Sequence, residues 1–89
     1  MNVTAYCDYG IMADGWRVHQ GAIAAARNIP FGSLIEIQGM GTYRVEDRGG
    51  AITTGHLDIW MPNCASAMHF GRWRMSVRIL RYGWYGTSN

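Results

Sequence analysis

The chain has 89 residues, of which 48% are apolar and 16% are charged, and its formal net charge is +2. This balance excludes a disordered chain and predicts one folded domain over residues 1–89. All the cationic residues are arginine, but so small a net charge predicts no nucleic-acid partner. No apolar segment approaches the length of a membrane span.

Short β-type runs dominate the chain, and each is bounded by Gly, Pro, Asn or Asp. We expect six strands from these runs, over residues 3–6, 11–12, 34–37, 42–45, 57–60 and 75–80. The Gly39-Met40-Gly41 sequence predicts a hairpin turn between residues 34–37 and 42–45. A compact barrel closes such short strands best, so the chain is predicted to be mainly β.

Two short helices are predicted between the strands. Residues 22–27 are one candidate, which the turn at Pro30 would follow. Residues 63–70 are the other, because Asn63 can cap the start and Gly71 can end it. The side chains expected to face inward from this second helix are Cys64, Ala67, Met68 and Phe70.

The cysteines and histidines show no spacing typical of a metal site, so we expect no metal and no cofactor. Cys7 and Cys64 are the only thiols, and they are compatible either with one disulfide or with two buried thiols. Of these two alternatives we expect free thiols.

Residues 44–60 carry the strongest functional pattern, because two strand-like runs with carboxylates are joined there by a glycine-rich turn. Asp47 follows the first run and Asp58 lies inside the second. Gly49 and Gly50 permit backbone conformations that other residues resist, so a turn or bulge there would let a ligand approach the main chain. We expect the two carboxylates to converge at a cleft. The alternative is that Asp47 opens an Asx turn and Asp58 is the polar face of one strand.

Several short motifs follow one another in an order that is informative as a whole. They are Ile29-Pro30-Phe31-Gly32-Ser33, Gly39-Met40-Gly41, Glu46-Asp47-Arg48-Gly49-Gly50-Ala51-Ile52, Gly55, Leu57-Asp58-Ile59 and Ala67-Met68-His69-Phe70-Gly71-Arg72. This order resembles the three-aspartate (3D) domain family. The resemblance implies a small six-stranded double-psi β-barrel with one or two short helices, related to the catalytic barrel of membrane-bound lytic transglycosylase A.

The resemblance also implies cleavage of the glycan strands of peptidoglycan. The family's last motif aspartate, the acid, corresponds to Asp58, and the preceding one corresponds to Asp47, a close neighbour that would raise the pKa of Asp58. A lytic transglycosylase would cleave the β-1,4 bond between MurNAc and GlcNAc and leave a 1,6-anhydroMurNAc end. The family's first aspartate is replaced by Ala25, judged by spacing from Pro30.

Substrate contacts are expected from one strand and from the glycine-rich turn. The residues that we expect to bind substrate are Thr4, Tyr6, Gly49, Gly50, Ala51 and Gly55. The family makes the strand at residues 3–6 line the cleft, and the turn residues can present backbone amides to acetyl or lactyl oxygens. Trp16 is the best candidate among the tryptophans for stacking on a sugar, and His56 is the only histidine inside the motif.

Two other functions stay open: a noncatalytic glycan-binding or wall-loosening module, like the expansin relatives of this barrel, and a cell-wall glycoside hydrolase. The loss at Ala25 favours the module, whereas Asp47 and Asp58 favour an enzyme. Peptidoglycan is the expected partner, in the cell envelope or outside the cell. No leader-like segment follows Met1, which predicts a trimmed leader, another export route, a phage-encoded protein or an excised domain.

Overall fold

The structure is a computed structural model of the chain, and it describes residues 1–49 and 52–83. These residues form seven strands and one helix: β1 (Asn2–Tyr6), β2 (Ala22–Ala25), β3 (Leu34–Ile37), β4 (Gly41–Asp47), β5 (His56–Trp60), α1 (Cys64–Phe70), β6 (Trp73–Arg74) and β7 (Val77–Arg81). The mainly β fold is confirmed. The hairpin turn between β3 and β4 is also confirmed, since these two strands pair antiparallel.

The number of strands differs from the prediction at three places. The helix predicted over residues 22–27 is wrong, because Ala22–Ala25 is a fully buried strand that pairs with β4 on one side and β5 on the other. Burial between two strands overrides the helix propensity of alanine. Residues 11–12 form only an isolated bridge, from Ile11 to Arg17, and the two-residue strand β6 was not predicted.

The helix α1 begins and ends as predicted. The Asn63 side chain accepts a hydrogen bond from the Ser66 N–H at 3.1 Å, and Gly71 ends the helix with a φ of 75°. Ala67 faces inward, but Cys64 is exposed and Met68 is 83% exposed, so the prediction for these two residues is wrong. At seven residues, this helix of the described part is too short to cross a membrane.

The strands form one mixed sheet in the order β6-β1-β5-β2-β4-β3-β7, with the pairs β1/β5 and β2/β4 parallel. In a flat sheet the two edge strands would lie about 29 Å apart. The link between β6 and β7 is only Met75 and Ser76, which can span about 11 Å. The sheet is therefore strongly rolled. Among the described residues β6 and β7 do not pair with each other, so barrel closure and the double-psi topology remain predictions.

The core lies inside the rolled sheet. Its buried members are Val3, Ile23, Ala25, Ile29, Phe31, Ile35, Ile37, Val45, Leu57 and Ile59. Burial of each valine, leucine or isoleucine stabilises the fold by about 1.5–3 kcal/mol relative to exposure. Side chains alternate along β2, so Ile23 and Ala25 face this core while Ala24 faces the other side.

Cys7 and Cys64 form a disulfide, with their Cα atoms 5.1 Å apart. The prediction of free thiols is therefore wrong. The two residues are 57 positions apart in sequence, but Cys7 follows β1 directly and Cys64 begins α1, which packs against β1. Tertiary packing brings the thiols together, and this proximity has no signal in the sequence.

Candidate functional site

A single row of residues across four neighbouring strands contains both candidate carboxylates. Thr4 on β1 is paired with Asp58 on β5, Asp58 with Ala24 on β2, and Ala24 with Asp47 on β4. Residues paired in register point to the same face of a sheet. Asp47 and Asp58 therefore share a face, with β2 between them and about 10 Å between their backbones if the sheet is locally flat.

A break in strand register aligns Asp47 with this row. Ile23 is paired with Val45, but the next residue of β2, Ala24, is paired with Asp47, so Glu46 is an extra residue in β4. Such a bulge shifts the side chain that follows it to the other face of the sheet. The sequence predicted a bulge or tight turn just after Asp47. The structure has a bulge just before Asp47, and after it the Ile52 N–H donates to the Gly49 carbonyl at 3.0 Å, a bond typical of a turn.

Asp58 ends a chain of two hydrogen bonds. The Thr4 hydroxyl donates to Asp58 Oδ1 at 2.8 Å, and His56 Nε2 lies 2.7 Å from Thr4 Oγ1. A threonine hydroxyl has one proton, which this arrangement directs to Asp58. His56 is therefore assigned as the donor to Thr4, with a proton on its Nε2.

The pKa of Asp58 lies above the ordinary aspartate value. Partial burial is the main cause, because it disfavours the charged carboxylate. The Thr4 hydrogen bond and the neighbouring His56 lower the pKa, while the charges of Asp8 and Asp47 raise it. The net shift favours a carboxyl group that keeps its proton at a higher pH than usual, as a general acid requires.

Asp47 has a different environment, because three donors surround it. The Tyr6 hydroxyl donates to Oδ2 at 2.8 Å, and the N–H groups of Ala13 and Arg48 donate to Oδ1 at 2.9 and 2.8 Å. Burial, followed by the hydrogen bond to Asp47, raises the pKa of Tyr6, so its hydroxyl keeps the proton that it donates. Asp47 is thus held as a hydrogen-bond acceptor in a fixed orientation.

The predicted substrate-binding residues fall into two groups. Thr4 and Tyr6 both contact a carboxylate of the row directly. Gly49 and Gly55 are explained by local geometry: a Cβ at Gly49 would lie 2.6 Å from Ile52 Cγ1, and Gly55 has a φ of 89°. The other two residues predicted here, Gly50 and Ala51, lie outside the described residues.

Ala25 is fully buried on the core face, whereas Ala24 lies between the carboxylates. The Arg48 guanidinium donates to the carbonyl oxygens of Ala25 and Ile29 at 3.3 and 2.8 Å. A carboxylate at position 25 would thus point towards the core, from a residue whose backbone carbonyl accepts a hydrogen bond from Arg48. The missing aspartate leaves the row of Asp47 and Asp58 itself intact.

A second group of titratable residues, not predicted from the sequence, lies beside Asp47. Glu46 has a buried side chain whose Oε2 is 2.5 Å from His19 Nε2. Burial raises the pKa of Glu46, and contact with Asp14 acts in the same direction. Among the described residues no cluster of three or more His, Cys, Asp or Glu side chains could hold a metal ion.

Comparisons with known proteins agree with the motif order. A family model described as the 3D domain matches residues 21–81, which include Asp47 and Asp58. The Bacillus subtilis (strain 168) protein named Cell wall-binding protein YocH is 35% identical over 52 residues, which are 58% of this chain. The matched region is only 18% of the length of that relative. No solved structure gives a significant match.

Proposed function

The chain belongs to the 3D-domain family, and from this premise we propose that it is a peptidoglycan lytic transglycosylase with Asp58 as general acid and base. The observation that carries the proposal is the environment of Asp58. It is a partly buried carboxyl with a raised pKa, oriented by Thr4, on the same sheet face as a second carboxylate. Those are the properties that protonation of a glycosidic oxygen requires.

In the proposed reaction Asp58 begins protonated and gives its proton to the glycosidic oxygen between MurNAc and GlcNAc. The bond from that oxygen to C1 of MurNAc breaks, and positive charge develops on the ring. The Asp58 carboxylate then takes the proton of the MurNAc 6-hydroxyl, whose oxygen bonds to C1 and closes the 1,6-anhydro ring. Asp58 ends protonated, and no water is consumed.

Asp47 would serve this reaction by its charge and its fixed position. A carboxylate held by Tyr6, Ala13 and Arg48 does not have to reorient as positive charge develops on the sugar ring. Thr4 would orient Asp58, and the main chain near Gly49 and Gly55 would bind acetyl or lactyl oxygens. The same contacts with Gly50 and Ala51 belong to the proposal on sequence grounds alone.

A noncatalytic wall-binding module is the second candidate. Two observations favour it: Ala25 stands where the family has its first aspartate, and the relative in Bacillus subtilis is named a cell wall-binding protein. Both candidates have peptidoglycan as partner and the cell envelope or the exterior as location. The disulfide between Cys7 and Cys64 supports that location, because disulfides persist in oxidising compartments.

Product analysis separates the candidates. Purified peptidoglycan is incubated with the wild-type chain, with Asp58→Asn and with the control Glu36→Gln, which removes a surface acid that pairs with Arg78. Mass spectrometry of the soluble fraction should show anhydromuropeptides from the wild type and the control, and none from Asp58→Asn. Reducing-end fragments would indicate a hydrolase instead, and sedimentation with the wall without any fragments would indicate a binding module.

A further inference from the structure

The connection between β1 and β2 contains a small hairpin, residues 10–18. The Met12 N–H donates to the Trp16 carbonyl at 2.7 Å, and the Val18 N–H donates to the Gly10 carbonyl at 2.9 Å. The three-residue loop between Met12 and Trp16 ends at Gly15, whose φ of 93° is the left-handed conformation that such loops need. Residues 1–20 precede the region matched by the family model, so the family match gives this hairpin no role.

Several contacts hold this hairpin against the site. Its tip donates from the Ala13 N–H to Asp47, and the Asp14 N–H donates to the Glu46 carbonyl at 3.1 Å. Met12 is buried against Trp60 in a small apolar cluster. Just before the hairpin, the disulfide fixes the chain to α1. The hairpin is therefore a supported element with a defined position.

This supported hairpin nevertheless exposes large apolar side chains. Trp16 and Ile11 are each 65% exposed, and neighbouring Tyr9 is 73% exposed. Exposed apolar groups on a rigid support are typical of binding surfaces. The hairpin thus presents an exposed aromatic ring on a supported element.

The indole N–H of Trp16 differs from those of the other described tryptophans. Trp60 Nε1 donates to the Asp8 carbonyl and Trp73 Nε1 donates to the Phe70 carbonyl. Within residues 1–49 and 52–83, no atom accepts a hydrogen bond from Trp16 Nε1. Both the ring face and the donor of Trp16 are therefore available to a ligand.

Trp16 is also close to the carboxylate row. The Met12 N–H that bonds the Trp16 carbonyl is one residue before the Ala13 N–H that bonds Asp47 Oδ1 at 2.9 Å. The path through these two bonds places the Trp16 carbonyl within about 10 Å of Asp47 Oδ1. The backbone of Trp16 is therefore near enough to Asp47 for one extended polymeric ligand to span both.

We propose that the hairpin, residues 10–18, is a saccharide-binding platform on which Trp16 stacks against a sugar of the glycan strand held at Asp47 and Asp58. The inference rests on the proposed function. A pyranose ring has an apolar C–H face and a rim of hydroxyl groups, so it fits an exposed ring face beside an unused N–H donor. The exposed cation of Arg17, paired across the hairpin with Ile11, suits a polymer that carries carboxylates.

The test measures binding of soluble, peptide-free glycan strands released from peptidoglycan by an amidase. All proteins carry Asp58→Asn to prevent turnover, and Trp16→Ala is compared with the matched control Trp73→Ala, which also removes an exposed tryptophan. Trp16→Ala should weaken binding about fivefold to tenfold, Trp16→Phe should retain most of the affinity, and Trp73→Ala should change it less than twofold. Thermal melts confirm that each variant is folded.

Equal affinities of Trp16→Ala and Trp73→Ala would overturn the platform. The proposed function would survive that result if the otherwise wild-type Trp16→Ala chain still released anhydromuropeptides. The Asp58→Asn parent chain could bind no glycan strand while the wild type releases no fragments. In that case the proposed function would fail, and the platform with it.

Discussion

The hydrogen bond from Thr4 to Asp58 should stabilise both the fold and the charged form of the carboxylate. Thr4→Val removes the hydroxyl and keeps the shape of the side chain. The bond at 2.8 Å joins a hydroxyl to a carboxylate, and bonds to charged groups contribute about 1.5–3 kcal/mol. Because Thr4 and Asp58 are only partly buried, solvent screening reduces the expected contribution to about 1–2 kcal/mol.

A double-mutant cycle isolates this interaction from the other effects of each substitution. The free energy of unfolding in urea is measured for the wild type, Thr4→Val, Asp58→Ala and the double variant. We expect a coupling energy of about 1–2 kcal/mol at neutral pH. Thr42→Val is the matched control, since Thr42 is exposed on β4 and its hydroxyl has no hydrogen bond among the described residues.

The coupling should also depend on pH, with a defined sign. The Thr4 bond lowers the pKa of Asp58 and thus favours its ionised form. The stabilisation from this bond is therefore present at neutral pH and is lost as the pH falls through the folded pKa of Asp58. A coupling energy within about 0.5 kcal/mol of zero at neutral pH, or one that grows in acid, would refute the reasoning.

Three further predictions concern the disulfide, the partly buried carboxyl of Asp58 and the backbone at Gly49. Replacing both Cys7 and Cys64 by Ala should lower the free energy of unfolding by about 4 kcal/mol, because the disulfide joins residues 57 apart; urea melts with and without reductant check this, and unchanged midpoints would contradict it. Burial raises the pKa of Asp58, so the folded state favours the neutral carboxyl. The contribution of this preference to the free energy of unfolding is complete below the ordinary aspartate pKa and is lost as the pH rises through the folded pKa. Asp58→Asn should therefore raise the melting temperature by a few degrees at neutral pH and much less in acid, and a lower melting temperature at neutral pH would count against this sign. Gly49→Ala should destabilise the chain by about 1–3 kcal/mol, since the new Cβ would lie 2.6 Å from Ile52 Cγ1, and adding Ile52→Ala should restore most of the loss in the same urea assay.

Local sequence patterns predict most of the strands but not β2 or the two-residue strand β6. Runs of β-branched and aromatic residues bounded by turn residues correctly indicate β1, β3, β4, β5 and β7. Ala22-Ile23-Ala24-Ala25 has the composition of a helix, and it is a strand only because β4 and β5 bury it from both sides. A propensity carries no information about such neighbours.

The carboxylates of the candidate site, with Thr4 and Tyr6 beside them, were predictable from the sequence and its family resemblance, while the hydrogen bonds that join them were not. Asp47 follows one strand-like run, Asp58 lies inside another, and both belong to a recognisable motif. The chain from His56 through Thr4 to Asp58 depends on the parallel pairing of β1 with β5, which joins residues more than 50 positions apart. Such long-range register is set by the whole sheet and leaves no local signal.

The hairpin of residues 10–18 is a different case, because a usable signal was present. Asp14-Gly15 is a strong turn sequence for a hairpin, and it lies between Ile11-Met12 and Val18. The sequence analysis did not predict a turn there, but the structure has one, and its tip contacts Asp47. What the sequence could not predict is the docking of this turn on the carboxylate row.

The most direct test of the proposed mechanism is cleavage of purified peptidoglycan in water enriched in oxygen-18, followed by mass spectrometry of the new glycan ends. A lytic transglycosylase that uses Asp58 as acid and base closes the 1,6-anhydro ring with the sugar's own oxygen. We therefore predict anhydro ends without label from the wild type, and no new ends from Asp58→Asn. Labelled reducing ends, or fragment release that is unchanged in Asp58→Asn, would contradict the proposal.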